Sequence, residues 1–174
     1  MRTTAVAVMI AGMVMSSGCI LGGGPTIALR PNGDVRLGLD ADYLAQVNQS
    51  STPELAGFGG GFATTIGSVA SPSSDRTTMY GYLAGRAPIW SSMGGNANLA
   101  LGLTVPGRSQ TSLNALGGYM AASAGLMTSV QCDGFAFSAE LGIRWNGGLE
   151  FYIAARGNLA LGLGADCGPV LNNR

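Results

Sequence analysis

The segment "DVRLGLDADYLA" constrains this chain most strongly. Val35, Leu37, Leu39, Ala41 and Tyr43 alternate with Arg36, Gly38, Asp40 and Asp42, a period of two that gives an extended strand two unlike faces. The pattern returns in "NANLALGLTV", where Ala97, Leu99, Leu101, Leu103 and Val105 alternate with Asn96, Asn98, Ala100, Gly102 and Thr104. In "FAFSAELGIRW", Phe135, Phe137, Ala139, Leu141, Ile143 and Trp145 oppose Ala136, Ser138, Glu140, Gly142 and Arg144. In "LEFYIAARGNLALGLG", Leu149, Phe151 and Ile153 oppose Glu150, Tyr152 and Arg156. The hexamer "NLALGL" occurs at 98–103 and 158–163 with unmatched flanks, which reads as a recurring strand recipe and not as a duplication.

Turn chemistry cuts these runs apart. "RPNGD" at 30–34 contains Asn-Gly, a strong hairpin signal, and "NQSSTPE", "SPSSDR", "PGRSQTS", "CDG" and "NGG" punctuate the rest. The pattern predicts about eight strands, near 25–30, 34–46, 57–69, 76–90, 95–105, 115–131, 134–146 and 149–165. Residues 112–127 are rich enough in alanine to leave a helix open there. Short links between consecutive antiparallel strands make a meander, and an eight-stranded meander loses its exposed edges by closing into an up-and-down barrel. The expected fold class is therefore all-β, with a barrel domain over 26–174.

The charges fix which way such a barrel faces. Only 10% of residues are charged, against about 25% in a typical soluble domain. The strand-borne charges Arg36, Asp40, Asp42, Arg86, Glu140, Arg144, Glu150 and Arg156 all lie opposite the bulky apolar face of their strands, four of each sign. A soluble barrel with charges outward would cover its exterior very thinly. A membrane barrel reverses the order, with an apolar band outside and a polar interior. The eight charges are thus expected to point inward as a paired network. Eight strands leave an interior just wide enough for side chains, so a plugged core is expected and not a pore. Nine arginines balance nine acids and there is no lysine, which leaves no basic field for nucleic acid.

The amino terminus adds an address. Arg2 is a positive n-region, "AVAVMIAGMVM" an apolar run too short to span a bilayer, and Ser16-Ser17-Gly18 a small-residue cleavage region, which together predict a signal peptide over 1–18. "SSGC", ending in Cys19, resembles the lipobox of bacterial lipoproteins. That resemblance implies a lipid on the Cys19 sulfur, with Cys19 as the new first residue and 19–25 as a glycine-rich tether. Ile20 in place of aspartate is similar to lipoproteins of enteric type sent to the outer membrane. Across the mature chain the pattern resembles the small eight-stranded outer-membrane barrels.

With Cys19 lipidated, Cys132 and Cys167 remain as an even pair, which an exported protein can oxidise to a disulfide. Eight antiparallel strands place Cys19, Cys167 and the turn holding Cys132 at one rim, within reach of such a bond. The pair has no CxxC spacing and the chain has no histidine, so a metal or redox site there is the weaker reading.

The absence of histidine also excludes Ser-His-Asp and Cys-His nucleophilic systems. Asp40 and Asp42 share a face and could chelate a hard cation, but pairing with Arg36 or Arg86 fits the charge balance better. Glu140 and Glu150 could act as an acid/base pair, but the interleaved Arg144 and Arg156 favour salt bridging. The glycine triplets at 22–24 and 59–61 lack the setting of a phosphate loop; the second permits bending or close packing within a strand. Tyr80, Tyr82, Tyr119, Trp90 and Trp145 are candidates for interfacial belts.

The resulting expectation is a non-catalytic, lipid-anchored envelope barrel in the outer membrane, its amino terminus facing the periplasm. Its expected partners are the membrane, through the anchor and the barrel wall, and no cofactor beyond the lipid. The alternative is a periplasmic lipoprotein whose soluble barrel or sandwich holds a small apolar ligand against an inward leucine face.

Overall fold

The computed structural model of the chain describes residues 18–47, 54–67, 77–90, 95–106, 116–127 and 134–161. The expected signal peptide over 1–18 lies outside these residues except for Gly18, as do Cys132, Cys167 and the disulfide expected between them.

Eight antiparallel strands follow one another in space as in sequence and close into a barrel: β1 (Cys19–Leu29), β2 (Val35–Gln46), β3 (Leu55–Gly67), β4 (Thr77–Trp90), β5 (Gly95–Pro106), β6 (Gly117–Met127), β7 (Gly134–Asn146) and β8 (Leu149–Leu161). Of the alanine-rich stretch 112–127, Gly117–Met127 form strand β6 and not a helix, with exposed and buried residues alternating. Two tight connections use glycine at positive φ: Gly33 (φ 87°) in the Asn-Gly turn between β1 and β2, and Gly147 (φ 68°) between β7 and β8.

The register determines the shape. Stepping from Cys19 to its neighbour on each successive strand passes Ala45, Ala56, Gly85, Leu99, Ala122, Ile143 and Phe151, and re-enters β1 at Leu29, ten residues beyond the start. That stagger tilts the strands by about 40° from the barrel axis. A strand of 12 residues such as β2 then spans about 30 Å of barrel height.

One sequence expectation is corrected here. Residues 19–25 are not a tether: Cys19 to Gly24 form the first half of β1, paired with β2 along their whole length and with β8 as far as Gly23. Glycines 22–24 carry no side chain to alternate, so the strand is silent in the sequence pattern.

The two faces of the wall are chemically opposite. Leu37, Leu39, Leu99, Leu101, Leu103, Phe135, Phe137, Leu141, Ile153 and Leu159 belong to a set of twenty-eight large apolar side chains that are exposed on the outside or at its rims. The inward positions hold arginines, carboxylates, asparagines, tyrosines and alanines. Among the described residues, apolar packing inside forms two small clusters, one around Ala28, Ala63 and the tyrosines, and one at the Cys19 end around Ile20, Leu44, Leu55 and Met127.

Candidate functional site

The lumen is an ion-pair network. All eight strand-borne charges, Arg36, Asp40, Asp42, Arg86, Glu140, Arg144, Glu150 and Arg156, are buried inside the barrel, none more than 8% exposed. Among the described residues no strand carries a charge on its outer face.

Toward the end holding the β1–β2 turn, Glu150 is the hub. Its Oε1 accepts from Arg36 Nη1 and from Arg30 (Nη2 at 3.1 Å), and its Oε2 accepts from Arg144 Nε at 2.7 Å. Arg36 Nη2 also donates to the Ala63 carbonyl and to Thr78 Oγ1, each at 2.7 Å. Arg30, which the "RPNGD" pattern assigns to the turn, is a fifth cation of the network. It continues the inward parity of Thr26 and Ala28, and that parity was the signal that could have found it.

Toward the Cys19 end, Arg156 Nη1 donates to Asp42 Oδ2, Arg156 Nη2 to Asp40 Oδ2 at 3.5 Å, and Arg86 Nη2 to Glu140 Oε1 at 3.1 Å. Asn98, which accepts from Arg86 Nε at 2.6 Å, donates to Ser123 Oγ, and Ser123 donates to Glu140 Oε2. Asp40 joins the two halves: it lies 3.9 Å from Arg144 and accepts the Tyr80 hydroxyl proton.

The partners of Asp40 and Asp42 differ from the expected Arg36 and Arg86. Arg156 sits on β8, two strands from β2, and reaches the aspartates across the inward face of β1, where Gly22 and Gly24 stand. A Cβ at Gly22 would collide with Asp42 and lie 2.8 Å from Asn158 Oδ1, so Gly22 leaves the space that the Asp42 carboxylate occupies, whereas a Cβ at Gly24 would meet the β8 backbone at Ala155.

The tyrosines also depart from expectation. Tyr80, Tyr82 and Tyr119 do not belong to an interfacial belt; they stack in the lumen, with Tyr119 centroids 4.6 Å from Tyr80 and 5.3 Å from Tyr82. Arg144 lies over the rings of Tyr80 and Tyr152, 5.6 and 5.2 Å from their centroids. Their parity is that of Arg86 in "TTMYGYLAGR", which identifies Tyr80 and Tyr82 as inward. Room for them comes from glycine on the facing strand: Gly59 stands opposite Tyr82 and Gly61 opposite Tyr80, and a Cβ at Gly59 would lie 2.6 Å from the Tyr82 ring. Trp145, by contrast, is half-exposed on the outer face.

Between Asp42, Tyr82, Arg86, Glu140 and Arg156 remains a cavity of about 30 Å³, room for about two waters. Arg86 Nη1 and Asp42 Oδ1 border it without a protein partner. At this size it is too small for an apolar ligand, and the leucine face that the ligand-binding alternative placed inside points outward. Glu140 and Glu150 are each held by their own arginines. Among the described residues no three metal-ligating side chains converge.

Cys19 opens β1 at an odd-numbered position, the outer parity of that strand, with Leu161 on one side and Ala45 on the other. Its thiol lies 3.7 Å from the Leu161 carbonyl and next to the Tyr43 side chain; the residue is buried and is in no disulfide among the described residues. Comparison with family models, with curated proteins and with solved structures gives no match.

Proposed function

We propose that this chain is an outer-membrane barrel, anchored by lipid on Cys19, whose plugged lumen makes it a structural or interaction element of the envelope and not a channel or an enzyme. One observation carries the reading: charge is absent from the outer face of every described strand, while eight strand-borne charges fill the interior. A soluble monomer rarely exposes contiguous apolar patches beyond a few hundred Å². Here the apolar face runs around the barrel, and its height of about 30 Å matches the apolar band of about 25 Å with its rims. In hydrocarbon a closed barrel satisfies its backbone without edges, and an ion-paired interior keeps the charges away from lipid.

The lumen supports a structural role: among the described residues it is occupied by paired arginines and carboxylates and by stacked tyrosine rings. Interaction chemistry then falls to the rims and to the lipid-facing wall. The test is migration on gels before and after heating, using protein refolded from denaturant into phospholipid vesicles. A compact, faster-migrating form that converts on boiling is expected; failure to form one in any bilayer would overturn the reading.

A further inference from the structure

Asp42 on β2 and Arg86 on β4 each bring to the lumen cavity one polar atom that no protein group answers among the described residues: Asp42 Oδ1, an acceptor, and Arg86 Nη1, a donor. Both residues are more than nine-tenths buried, at 8% and 4% exposure. Arg156, 7% exposed, borders the same space and holds a third such atom, its Nε, which stands 3.7 Å from Glu140 Oε1 without a hydrogen bond to it. The remaining atoms of the first two groups are engaged. Arg86 donates through Nη2 to Glu140 and through Nε to Asn98, and Asp42 Oδ2 accepts from Arg156, so turning either side chain toward a new partner would break a bond already made. The strand between them offers no help: β3 sets Gly59 beside Asp42 and Leu55 beside Arg86, and the inward position between those two is Gly57.

We infer that the cavity binds water as a fixed member of the lumen network, bridging Arg86 Nη1 to Asp42 Oδ1 past β3. The chemistry of the unanswered pair names the ligand. A halide only accepts, and would answer Arg86 while facing the carboxylates of Asp40, Asp42 and Glu140. A metal cation would answer Asp42 while facing the guanidinia of Arg86 and Arg156. An apolar molecule answers neither. Water both donates and accepts, and about 30 Å³ admits about two molecules of it. Buried polar atoms are costly without a partner, and charged ones most of all, so the bridge stabilises the folded barrel. This deepens the structural role proposed for the plug, since water completes a network that side chains leave open. It rests on the lumen alone and not on what surrounds the wall.

The test is a crystal structure of the full chain folded in detergent, at a resolution that shows ordered water, with parallel crystals pressurised with xenon or grown in bromide and in rubidium salts. Ordered water within hydrogen-bond distance of both Arg86 Nη1 and Asp42 Oδ1 is expected, with no anomalous signal from xenon, bromide or rubidium in the cavity. A xenon signal there marks a dry cavity and overturns the inference. So does bromide or rubidium in place of water, or a direct Arg86–Asp42 hydrogen bond across a collapsed cavity. A chain that folds and crystallises without detergent, with water in the cavity, would overturn the membrane reading and leave this one standing.

Discussion

Replacing Glu150 by glutamine removes one charge and almost no volume, and it tests the lumen as an electrostatic unit. Glu150 is fully buried and answers three arginines: Arg30 at 3.1 Å, Arg144 at 2.7 Å and Arg36 in closest contact. At about 3 Å and an effective dielectric of about 20, each such contact is worth roughly 5 kcal/mol of gross attraction, most of it offset by the cost of burying the ions. Taking away the carboxylate leaves Arg36 and Arg30 with no carboxylate in reach among the described residues, and Arg144 with Asp40 alone at 3.9 Å. Breaking a single buried pair costs about 3–5 kcal/mol, and Glu150→Gln belongs at the upper end of that range. For a denaturant slope of about 2 kcal/mol/M, the urea midpoint of the barrel in vesicles should fall by about 2 M. The double variant Arg36→Met, Glu150→Gln should recover part of the loss, because it restores the native difference between cations and anions in the lumen. A midpoint for Glu150→Gln within about 0.3 M of the parent, or a double variant less stable than the single one, would refute the reasoning.

Three further outcomes follow from the same geometry. Gly59→Ala should cost about 1–3 kcal/mol, because the new methyl meets the Tyr82 ring, while Gly81→Ala, where nothing lies closer than 3.9 Å, should be neutral within about 0.5 kcal/mol; urea midpoints compare them. Tyr80→Phe should cost about 1–3 kcal/mol by removing the hydroxyl that donates to Asp40 and accepts from Arg144, read the same way and set against Tyr43→Phe on the outer wall. Leu101→Arg, at the middle of β5 and exposed, should lose about 2–4 kcal/mol in bilayers, whereas Leu161→Arg at the rim should lose about 0–1 kcal/mol; equal effects at the two depths would speak against a membrane around the wall.

Most of the architecture is legible in the sequence because a period-two pattern records faces directly. In "FAFSAELGIRW" the side-chain sizes alone separate the outward Phe135, Phe137 and Leu141 from the inward Glu140 and Arg144. Legibility fails where that signal is missing or shared. Glycines 22–24 have no face to show, so half of β1 reads as a linker although it is paired with both neighbouring strands. Tyr80 and Tyr82 are amphipathic and suit a lipid interface as well as a polar lumen, and only their common parity with Arg86 decides. The partners inside the lumen were beyond reach for a different reason. Which arginine meets which carboxylate depends on the stagger of the whole barrel and on the space over Gly22, and no local pattern encodes that closure.

The measurement that bears most directly on the account is alkaline carbonate extraction of membranes from cells exporting a Cys19→Ala variant behind a signal peptide of non-lipoprotein type. With the lipid gone, only the strands can hold the chain in the bilayer. Retention of the variant in the membrane pellet is the predicted result. Release into the supernatant would mean that the apolar wall does not face lipid, and the account would fail at its central claim.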